Sequence, residues 1–390
     1  MLDSNPIEYS MFLIFTGAAL LATLALYARQ AMIVAYILLG ILLGPWGFSM
    51  ISDPEQIKDI SHIGIIFLLF LLGLDLLPQQ LWEMLGEALI ITLLSSVIFC
   101  VFGIFTGLAF GYPFIDTIVI GVIMMFSSTI IGLKLLPTTT LHHKHTGQII
   151  ISVLLIQDLL AIIILLLLQG YGQGNNIAID IAYQLVTLPL LILIAYLFDR
   201  FVLLKLLEKF DQIHEYVFLL ALGWCMGMAQ LAVSFGLSHE IGAFVAGITL
   251  ASSPIALFIT ERLKPLRDFF LIIFFFSIGA SFNIDSLEGI IFPAVILGAL
   301  IIFCKPLVFL WLLKSAGEKT GISMEVGYRL GQGSEFSLLI AVLALESSFI
   351  AESTFNLIQL TMLMTFIISS YIIVMYYPTP IGVTEKLRRD

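Results

Sequence analysis

The sequence predicts an all-α polytopic membrane protein with about 13 transmembrane helices, and three observations support that prediction. Hydrophobic residues make up 60% of the 390-residue chain and charged residues only 11%, which leaves too little polar surface for a soluble domain of this length. Apolar stretches recur along the whole chain between short polar or Gly/Pro breaks. The basic residues fall in alternate connections, as the positive-inside rule describes for membrane proteins.

The apolar stretches are the candidate spanning helices. Most approach the roughly 20 residues that cross the hydrocarbon core of a bilayer, and a few are shorter. In chain order they are residues 9–28, 31–50, 60–77, 85–110, 114–136, 146–169, 178–203, 214–235, 239–253, 268–283, 289–313, 323–346 and 354–377.

The 17 Lys and Arg residues test this arrangement. Two of them, Lys305 and Arg329, fall within spans. If the N-terminus lies outside, one more (Lys58) is in an outside loop and the remaining fourteen are in inside segments. Basic residues accumulate on the cytoplasmic side of membrane proteins. We therefore predict an outside N-terminus and a cytoplasmic C-terminus.

An odd number of spans allows two six-helix units joined by a linker helix at residues 178–203. Each helix of the first unit then corresponds to the helix seven positions later, in the opposite orientation. Inverted repeats of this kind are typical of secondary transporters.

Two corresponding spans carry polar or helix-breaking residues at mid-membrane. The span 114–136 contains Ser127, Ser128 and Thr129, in MMFSSTIIG, and the span 323–346 contains Gly331 and Gly333, in GQGSEF. Broken helices in corresponding positions of two repeats indicate a substrate site where they cross. The alternative is that these glycines only permit close helix packing.

Asp158 lies in the middle of an apolar span, with Gln157 beside it. An ionised side chain at this depth costs about 2.5–3.5 kcal/mol on insertion scales, so the residue is a candidate site for a proton or a cation. The Gln157 amide, the three hydroxyls of the first break and unwound carbonyls would replace part of an ion's hydration shell. Because hard oxygen donors suit alkali cations, we predict an alkali-cation site at Asp158 and Gln157.

Lys305 and Glu335 are the charged residues available near the breaks. Half-helix ends that meet in a low dielectric carry partial charges of both signs. We predict that these two side chains compensate the half-helix ends, although Lys305 could instead extend towards the membrane surface.

The ion-site segment LLIQDLLAI resembles the ion-binding helix of monovalent cation:proton antiporters related to bacterial Kef potassium efflux systems. Further segments resemble the same family, in the same order: GILLGPWG, LLGLDL, SSTIIG, HEIGAFVAGITLASS, FFFSIGASFNID and GQGSEF. The resemblance implies that Asp158 binds the cation or proton and that Gln157 favours potassium. It also implies that Lys305, in FCKPLVFL, is the core lysine of many relatives.

The resemblance also implies an organisation for the transmembrane domain, residues 1–377. It implies a homodimer that works by an elevator movement, with a short cytoplasmic tail after the last helix. The expected parts are a dimerisation part (1–77 and 214–283), an ion-carrying core (85–169 and 289–377), the linker helix (178–203) and the tail (378–390).

The expected function is exchange of a monovalent cation for protons across a bacterial inner membrane. We expect potassium to be the preferred cation, with sodium as the other possible substrate, and we expect the exchange to be electroneutral. We expect no enzymatic activity, no cofactor and no nucleic-acid partner. Kef proteins continue into a nucleotide-binding regulatory domain, whereas this chain ends at TEKLRRD, so we do not expect gating by glutathione adducts.

Three other functions are alternatives to exchange. A passive potassium channel would carry a TVGYG-like filter, which the sequence lacks. A sodium-coupled symporter for an organic anion would need sodium but not protons. An intramembrane hydrolase would need a base near its nucleophile, yet every histidine lies in a loop or at the end of a span.

Two further groups of charged residues have simpler explanations. Glu325 and Arg329 lie four apart on one predicted helix and are expected to form an ordinary ion pair. His142, His143 and His145 lie in an inside loop, where they could sense cytoplasmic pH or belong to a solvated basic loop.

Overall fold

The structure of the protein is a computed structural model. It describes residues 6–51, 54–75, 87–136, 145–171, 177–210, 212–251, 253, 256–283, 285 and 287–379. The regular secondary structure in these ranges is helical, as the sequence predicts.

Seventeen α-helices are described, several of which form parts of one predicted span. Two π-helical segments, Asp199–Leu203 and Leu300–Cys304, connect α8 to α9 and α13 to α14. The helices are α1 (Pro6–Tyr27), α2 (Met32–Leu43), α3 (Pro54–Asp75), α4 (Glu87–Ala109), α5 (Phe114–Ile123), α6 (Thr129–Lys134), α7 (His145–Tyr171), α8 (Ile177–Phe198), α9 (Leu204–Lys209), α10 (His214–Ser234), α11 (His239–Ala251), α12 (Ala256–Ala280), α13 (Leu287–Ala299), α14 (Lys305–Ser315), α15 (Thr320–Arg329), α16 (Glu335–Glu346) and α17 (Glu352–Tyr376).

Six stretches in the described part of the chain are long and apolar enough to cross a membrane, judged by length and composition alone. They are Ile7–Tyr27, Ala88–Ala109, His145–Leu165, His214–Ser234, Leu287–Ser315 and Glu352–Tyr376. Broken spans divide into pieces too short to meet this criterion, α5 among them. The number of spans, thirteen, stays a prediction.

Both predicted broken helices are broken in the structure. The span 114–136 consists of α5 and α6, and the span 323–346 consists of α15 and α16. We call residues 124–128 the first break and residues 330–334 the second break. A helix follows each break, and a serine hydroxyl caps the start of that helix. The first N–H groups of a helix have no partner within it, and a hydroxyl can accept a hydrogen bond from one of them.

The serines at these helix starts explain where the second halves begin. Ser128 Oγ accepts a hydrogen bond from the Ile131 N–H at 3.0 Å, at the start of α6. Ser334 Oγ accepts from the Phe336 N–H at 3.1 Å, at the start of α16. In both breaks, the serine therefore allows the chain to leave one helix and enter the next within a few residues.

The chain forms two compact units. The first comprises Met1–Ser52, Met84–Ala161 and Ile278–Asp390, and the second comprises Asp53–Glu83 and Ile162–Ser277. Both breaks and Asp158 belong to the first unit. The N-terminal stretch 1–77, expected to be one part, is thus divided between the two compact units. Which residues dimerise and which move stays a prediction, since compactness alone reports neither.

The second unit is built on a close approach of α3 and α11. A Cβ atom on Gly247 would overlap the carbonyl oxygen of Phe70 and lie 2.9 Å from the Cα atom of Gly73. Nearby, the Trp224 ring stacks on Phe198 with 5.2 Å between the ring centroids. Glycine at the contact between α3 and α11 lets their backbones touch, as is common between membrane helices.

Candidate ion-binding site

Gln157 holds the first break from the side of α7. Its Oε1 accepts from the Ser127 N–H at 2.9 Å, and its Nε2 donates to the Met125 carbonyl at 3.1 Å. The side chain is fully buried. Both ends of the amide are thus hydrogen-bonded to unwound backbone, which explains why an amide in an apolar span is tolerated.

The two serines of the first break are also engaged by protein groups. Ser127 Oγ donates to the Leu330 carbonyl at 2.8 Å and so joins the first break to the second. The Ser128 hydroxyl caps α6. Both side chains are buried. These hydroxyls were predicted as cation ligands, and the structure places them where they shape the backbone around the site.

Asp158 is buried, with 2% of its surface exposed. The Thr129 hydroxyl lies 3.3 Å from its Oδ1 and 3.2 Å from its Oδ2. Among the described residues, the hydrogen-bond donor to this carboxylate is Thr129. The carboxylate therefore keeps most of its acceptor capacity for a proton or a cation.

Glu335 lies on the other side of Thr129. Its Oε1 accepts from the N–H groups of Thr129 and Ile130, both at 3.2 Å. These two N–H groups are at the start of α6, the end that carries partial positive charge. Thr129 thus lies between two buried carboxylates, Asp158 at its hydroxyl and Glu335 at its backbone.

Lys305 joins both breaks through its ammonium group. Its Nζ donates to the Phe126 carbonyl at 2.6 Å and to the Gln332 carbonyl at 3.1 Å, and it lies 3.5 Å from Ser127 Oγ. The side chain is fully buried, and the ammonium lies over the ring of Phe99, 5.2 Å from its centroid. The ammonium is therefore buried against unwound carbonyls of both breaks, a position from which it can compensate their partial negative charge.

The two glycines of the second break lie in close contact with neighbouring side chains. A Cβ atom on Gly331 would lie 3.0 Å from the Pro306 Cγ atom, and one on Gly333 would overlap the Met362 sulfur. Neither glycine adopts a positive φ. The second break therefore combines the two alternatives left open by the sequence: the helix is broken here, and its glycines also admit neighbouring side chains.

Sequence reasoning missed the role of Gln332. This side chain is fully buried. Its Nε2 donates to the Arg329 carbonyl at 2.9 Å, and its Oε1 accepts from Ser369 Oγ at 3.1 Å. Its position between Gly331 and Gly333 was the available signal, because an amide inside a broken span needs partners.

Arg329 was predicted only as one half of an ion pair. The pair with Glu325 is present, with 2.9 Å between Nε and Oε1. Arg329 is also fully buried, and it donates to the carbonyls of Leu135 at 3.0 Å and Pro378 at 2.8 Å. One guanidinium thus joins the C-terminal ends of α6, α15 and α17, which carry partial negative charge.

The histidines of the inside loop are only partly described. His142 and His143 lie outside the described residues. His145 is exposed at the start of α7, and its Nε2 lies 2.6 Å from Glu318 Oε1. Neither the sensing of pH nor the solvated loop is tested by this contact.

The arrangement can hold one cation or one proton at Asp158. The carbonyls of Met125 and Phe126 in the first break, and that of Ile123 at the end of α5, already accept protein donors. Within the described ranges, no group of three His, Cys, Asp or Glu side chains that could hold a metal ion is present. The Asp158 carboxylate is a hard oxygen ligand with a single charge, and ligands of this type suit alkali cations.

Comparison with known proteins gives three findings. The family model described as sodium/hydrogen exchanger, transmembrane, matches residues 12–377. The K(+) efflux antiporter 4 of Arabidopsis thaliana is 31% identical over 326 residues, which are 80% of this chain and 54% of that protein. The chain thus spans about half the length of this curated relative.

The fold is similar to that of a solved transporter. The structure of the sodium proton antiporter MjNhaP1 from Methanocaldococcus jannaschii at pH 8 matches with a TM-score of 0.67 and 17% sequence identity. The match covers 94% of this chain and 95% of that one. At this identity the likeness establishes the fold alone.

Proposed function

The chain belongs to the sodium/hydrogen exchanger family of multi-pass membrane transporters, and from this premise we propose that it exchanges a monovalent cation for a proton. The observation that carries the proposal is Asp158. This carboxylate is 2% exposed, and among the described residues its hydrogen-bond donor is Thr129, which directly follows the first break.

Competition for one carboxylate makes the exchange obligatory. An isolated charge is costly in a low-dielectric site, so the buried carboxylate is stable when it is protonated or paired with a cation. The two ligands exclude each other at the same oxygens. Alternate loading on the two sides of the membrane then couples the cation gradient to the proton gradient.

Potassium is the cation that we favour, with sodium as the alternative. Gln157 is neutral, so Asp158 supplies the single exchangeable charge of the pair. The Arabidopsis relative is named a K(+) efflux antiporter, which supports the same choice. The substrate remains a proposal because this chain spans only about half of that protein.

The exchange is proposed to be electroneutral. Lys305 donates to the carbonyls of Phe126 and Gln332, and these contacts favour an ammonium that stays protonated throughout the cycle. One cation then replaces one proton at Asp158, and no net charge crosses the membrane.

Movement of the site as one body is proposed as the transport step. Both breaks, Asp158, Lys305 and Glu335 belong to the first compact unit, so they can move together in an elevator mechanism. A homodimer in the bilayer, an outside N-terminus and a bacterial inner membrane complete the proposal. They rest on the distribution of basic residues and on the family resemblance.

Exchange in proteoliposomes tests the function. The purified protein is reconstituted with an internal pH dye under an imposed proton gradient, and potassium, sodium or lithium chloride is then added. We expect dequenching with potassium that equals or exceeds that with sodium. Cation uptake without proton movement would contradict exchange and favour the channel or the sodium-coupled symporter.

A further inference from the structure

Gln332 lies inside the second break and binds neither ion in the proposed exchange. Its Nε2 donates to the Arg329 carbonyl at 2.9 Å, and its Oε1 accepts from Ser369 Oγ on α17 at 3.1 Å. The side chain is fully buried. A buried amide satisfied at both ends fixes the backbone that it contacts, since losing either bond would leave a polar group unpaired.

The loop that Gln332 closes carries two carbonyls that reach the first break. The Leu330 carbonyl accepts from Ser127 Oγ at 2.8 Å. The backbone carbonyl of Gln332 itself accepts from Lys305 Nζ at 3.1 Å, and the same ammonium donates to the Phe126 carbonyl at 2.6 Å. The conformation of this loop therefore sets where the first break lies.

The first break in turn sets the geometry at Asp158. Thr129 follows this break directly, and its hydroxyl lies 3.2 and 3.3 Å from the two carboxylate oxygens. The amide nitrogen of Gln332 also lies 3.5 Å from the Ser128 carbonyl, the outer limit of a hydrogen bond. A shift of the second break is thus transmitted to Thr129 through short polar contacts.

We propose that Gln332 is a positioning residue of the ion site, which fixes the distance between Thr129 and Asp158 by holding the second break in place. The inference rests on the proposed exchange function and adds a residue that controls cation affinity without touching the cation. Displacement of a binding group by about 1 Å can cost up to a hundredfold in the rate of a reaction, so a loosened break should be measurable at the ion site.

Cation titration of exchange in proteoliposomes tests this role. Gln332→Met keeps the side-chain length and removes both polar ends. We expect the apparent KM for potassium to rise about tenfold or more, with a changed ratio of potassium to sodium exchange. The unfolding temperature in detergent is measured on the same preparation.

A matched control separates positioning from stability. Gln359 is also a buried amide of the first unit, and its Nε2 donates to the Ile278 carbonyl. Gln359→Met should leave the apparent KM and the cation ratio unchanged, whatever its effect on the unfolding temperature. Equal effects of the two variants on KM would overturn the inference.

A second variant serves if Gln332→Met does not fold. Ser369→Ala removes one hydrogen bond to Gln332 and should raise the apparent KM about threefold, less than Gln332→Met, because Gln332 keeps its bond to the Arg329 carbonyl. An unchanged KM in this variant would overturn the inference. If the wild-type protein shows no exchange, the proposed function is overturned, and this inference with it. If the wild type is active and Gln332→Met has an unchanged apparent KM, the inference alone is overturned.

Discussion

Lys305 and Glu335 bind the two sides of the break between α5 and α6. The Lys305 ammonium donates to the Phe126 carbonyl in the first break at 2.6 Å. The Glu335 carboxylate accepts from the N–H groups of Thr129 and Ile130, where α6 begins, at 3.2 Å each. Each charge therefore faces the half-helix end of opposite sign. Side chains of the protein thus contact both sides of the first break, and Asp158 is the remaining carboxylate, which we propose as the site of the cation.

Replacement of Lys305 should destabilise the protein. Lys305→Met leaves the carbonyls of Phe126 and Gln332 without their ammonium donor, and an unsatisfied buried group costs about 1–3 kcal/mol. We expect an unfolding temperature several degrees lower in detergent, together with reduced exchange. Lys314, an exposed lysine on the same helix α14, provides the control, and Lys314→Met should leave the unfolding temperature unchanged. A Lys305→Met protein as stable as the wild type would contradict this account of the breaks.

The hydroxyl of Thr129 should contribute to cation affinity. Thr129→Val keeps the shape of the side chain and removes the donor that lies beside both oxygens of Asp158. We expect the apparent KM for the cation to rise about tenfold, whereas Thr129→Ser should stay within about threefold of the wild type. The measurement is initial exchange rate against cation concentration.

A buried threonine whose hydroxyl is bonded within its own helix provides the comparison for Thr129. Thr361 on α17 is fully buried and donates within its own helix to the Leu357 carbonyl at 2.8 Å. Thr361→Val should therefore leave the apparent KM unchanged. If both valine variants exchange like the wild type, the Thr129 hydroxyl has no part in binding.

Composition predicted the helical membrane fold, which is confirmed, and rare polar residues predicted a candidate site that stays a prediction. Asp158 was identified because an acid deep in an apolar span has no structural explanation, and the first break because Ser127, Ser128 and Thr129 interrupt another span. Lys305 was identified in the same way. Each of these signals is local, so a single sequence was sufficient.

The partners of the buried polar groups were not predictable in this way. Gln157 was expected to present its oxygen to a cation, yet that oxygen accepts from the Ser127 N–H. Arg329 was expected to pair with Glu325 on a helix surface, yet it also binds carbonyls of Leu135 and Pro378. Backbone carbonyls are the same at every position, so the sequence does not record which of them a distant side chain will reach.

Arg329 should stabilise the protein more than an ordinary helical ion pair does. Its guanidinium makes one bond to Glu325 and one each to the carbonyls of Leu135 and Pro378. A lysine cannot form these bonds together, because it lacks the planar array of donors. We therefore expect Arg329→Lys to lower the unfolding temperature markedly, and Glu325→Gln to lower it less. The reverse order would show that the ion pair, not the bonds to the carbonyls of Leu135 and Pro378, is the stabilising feature.

Exchange should be insensitive to membrane voltage. If Lys305 stays protonated on the carbonyls of the breaks, one cation replaces one proton at Asp158 and no net charge moves. Moving one elementary charge would change the energy by about 2.3 kcal/mol per 100 mV, which is readily detected. Proteoliposomes are clamped at several potentials by gradients of an ion that is not transported, and liposomes without protein report the leak. A rate or an equilibrium position that shifts with potential would refute one-for-one exchange and give Lys305 a titrating role.

The most direct test of the ion site is cation-driven proton movement by Asp158→Asn in proteoliposomes. The matched control is Asp116→Asn, since Asp116 is also buried in the first unit but accepts from the Ala351 N–H at 3.1 Å and from Thr354 Oγ1 at 2.6 Å. The account predicts that Asp158→Asn is folded, with a wild-type unfolding temperature, and exchanges neither potassium nor sodium for protons, while Asp116→Asn retains exchange. Substantial proton movement by folded Asp158→Asn would contradict the account and move the site to another group, with Glu335 the next candidate.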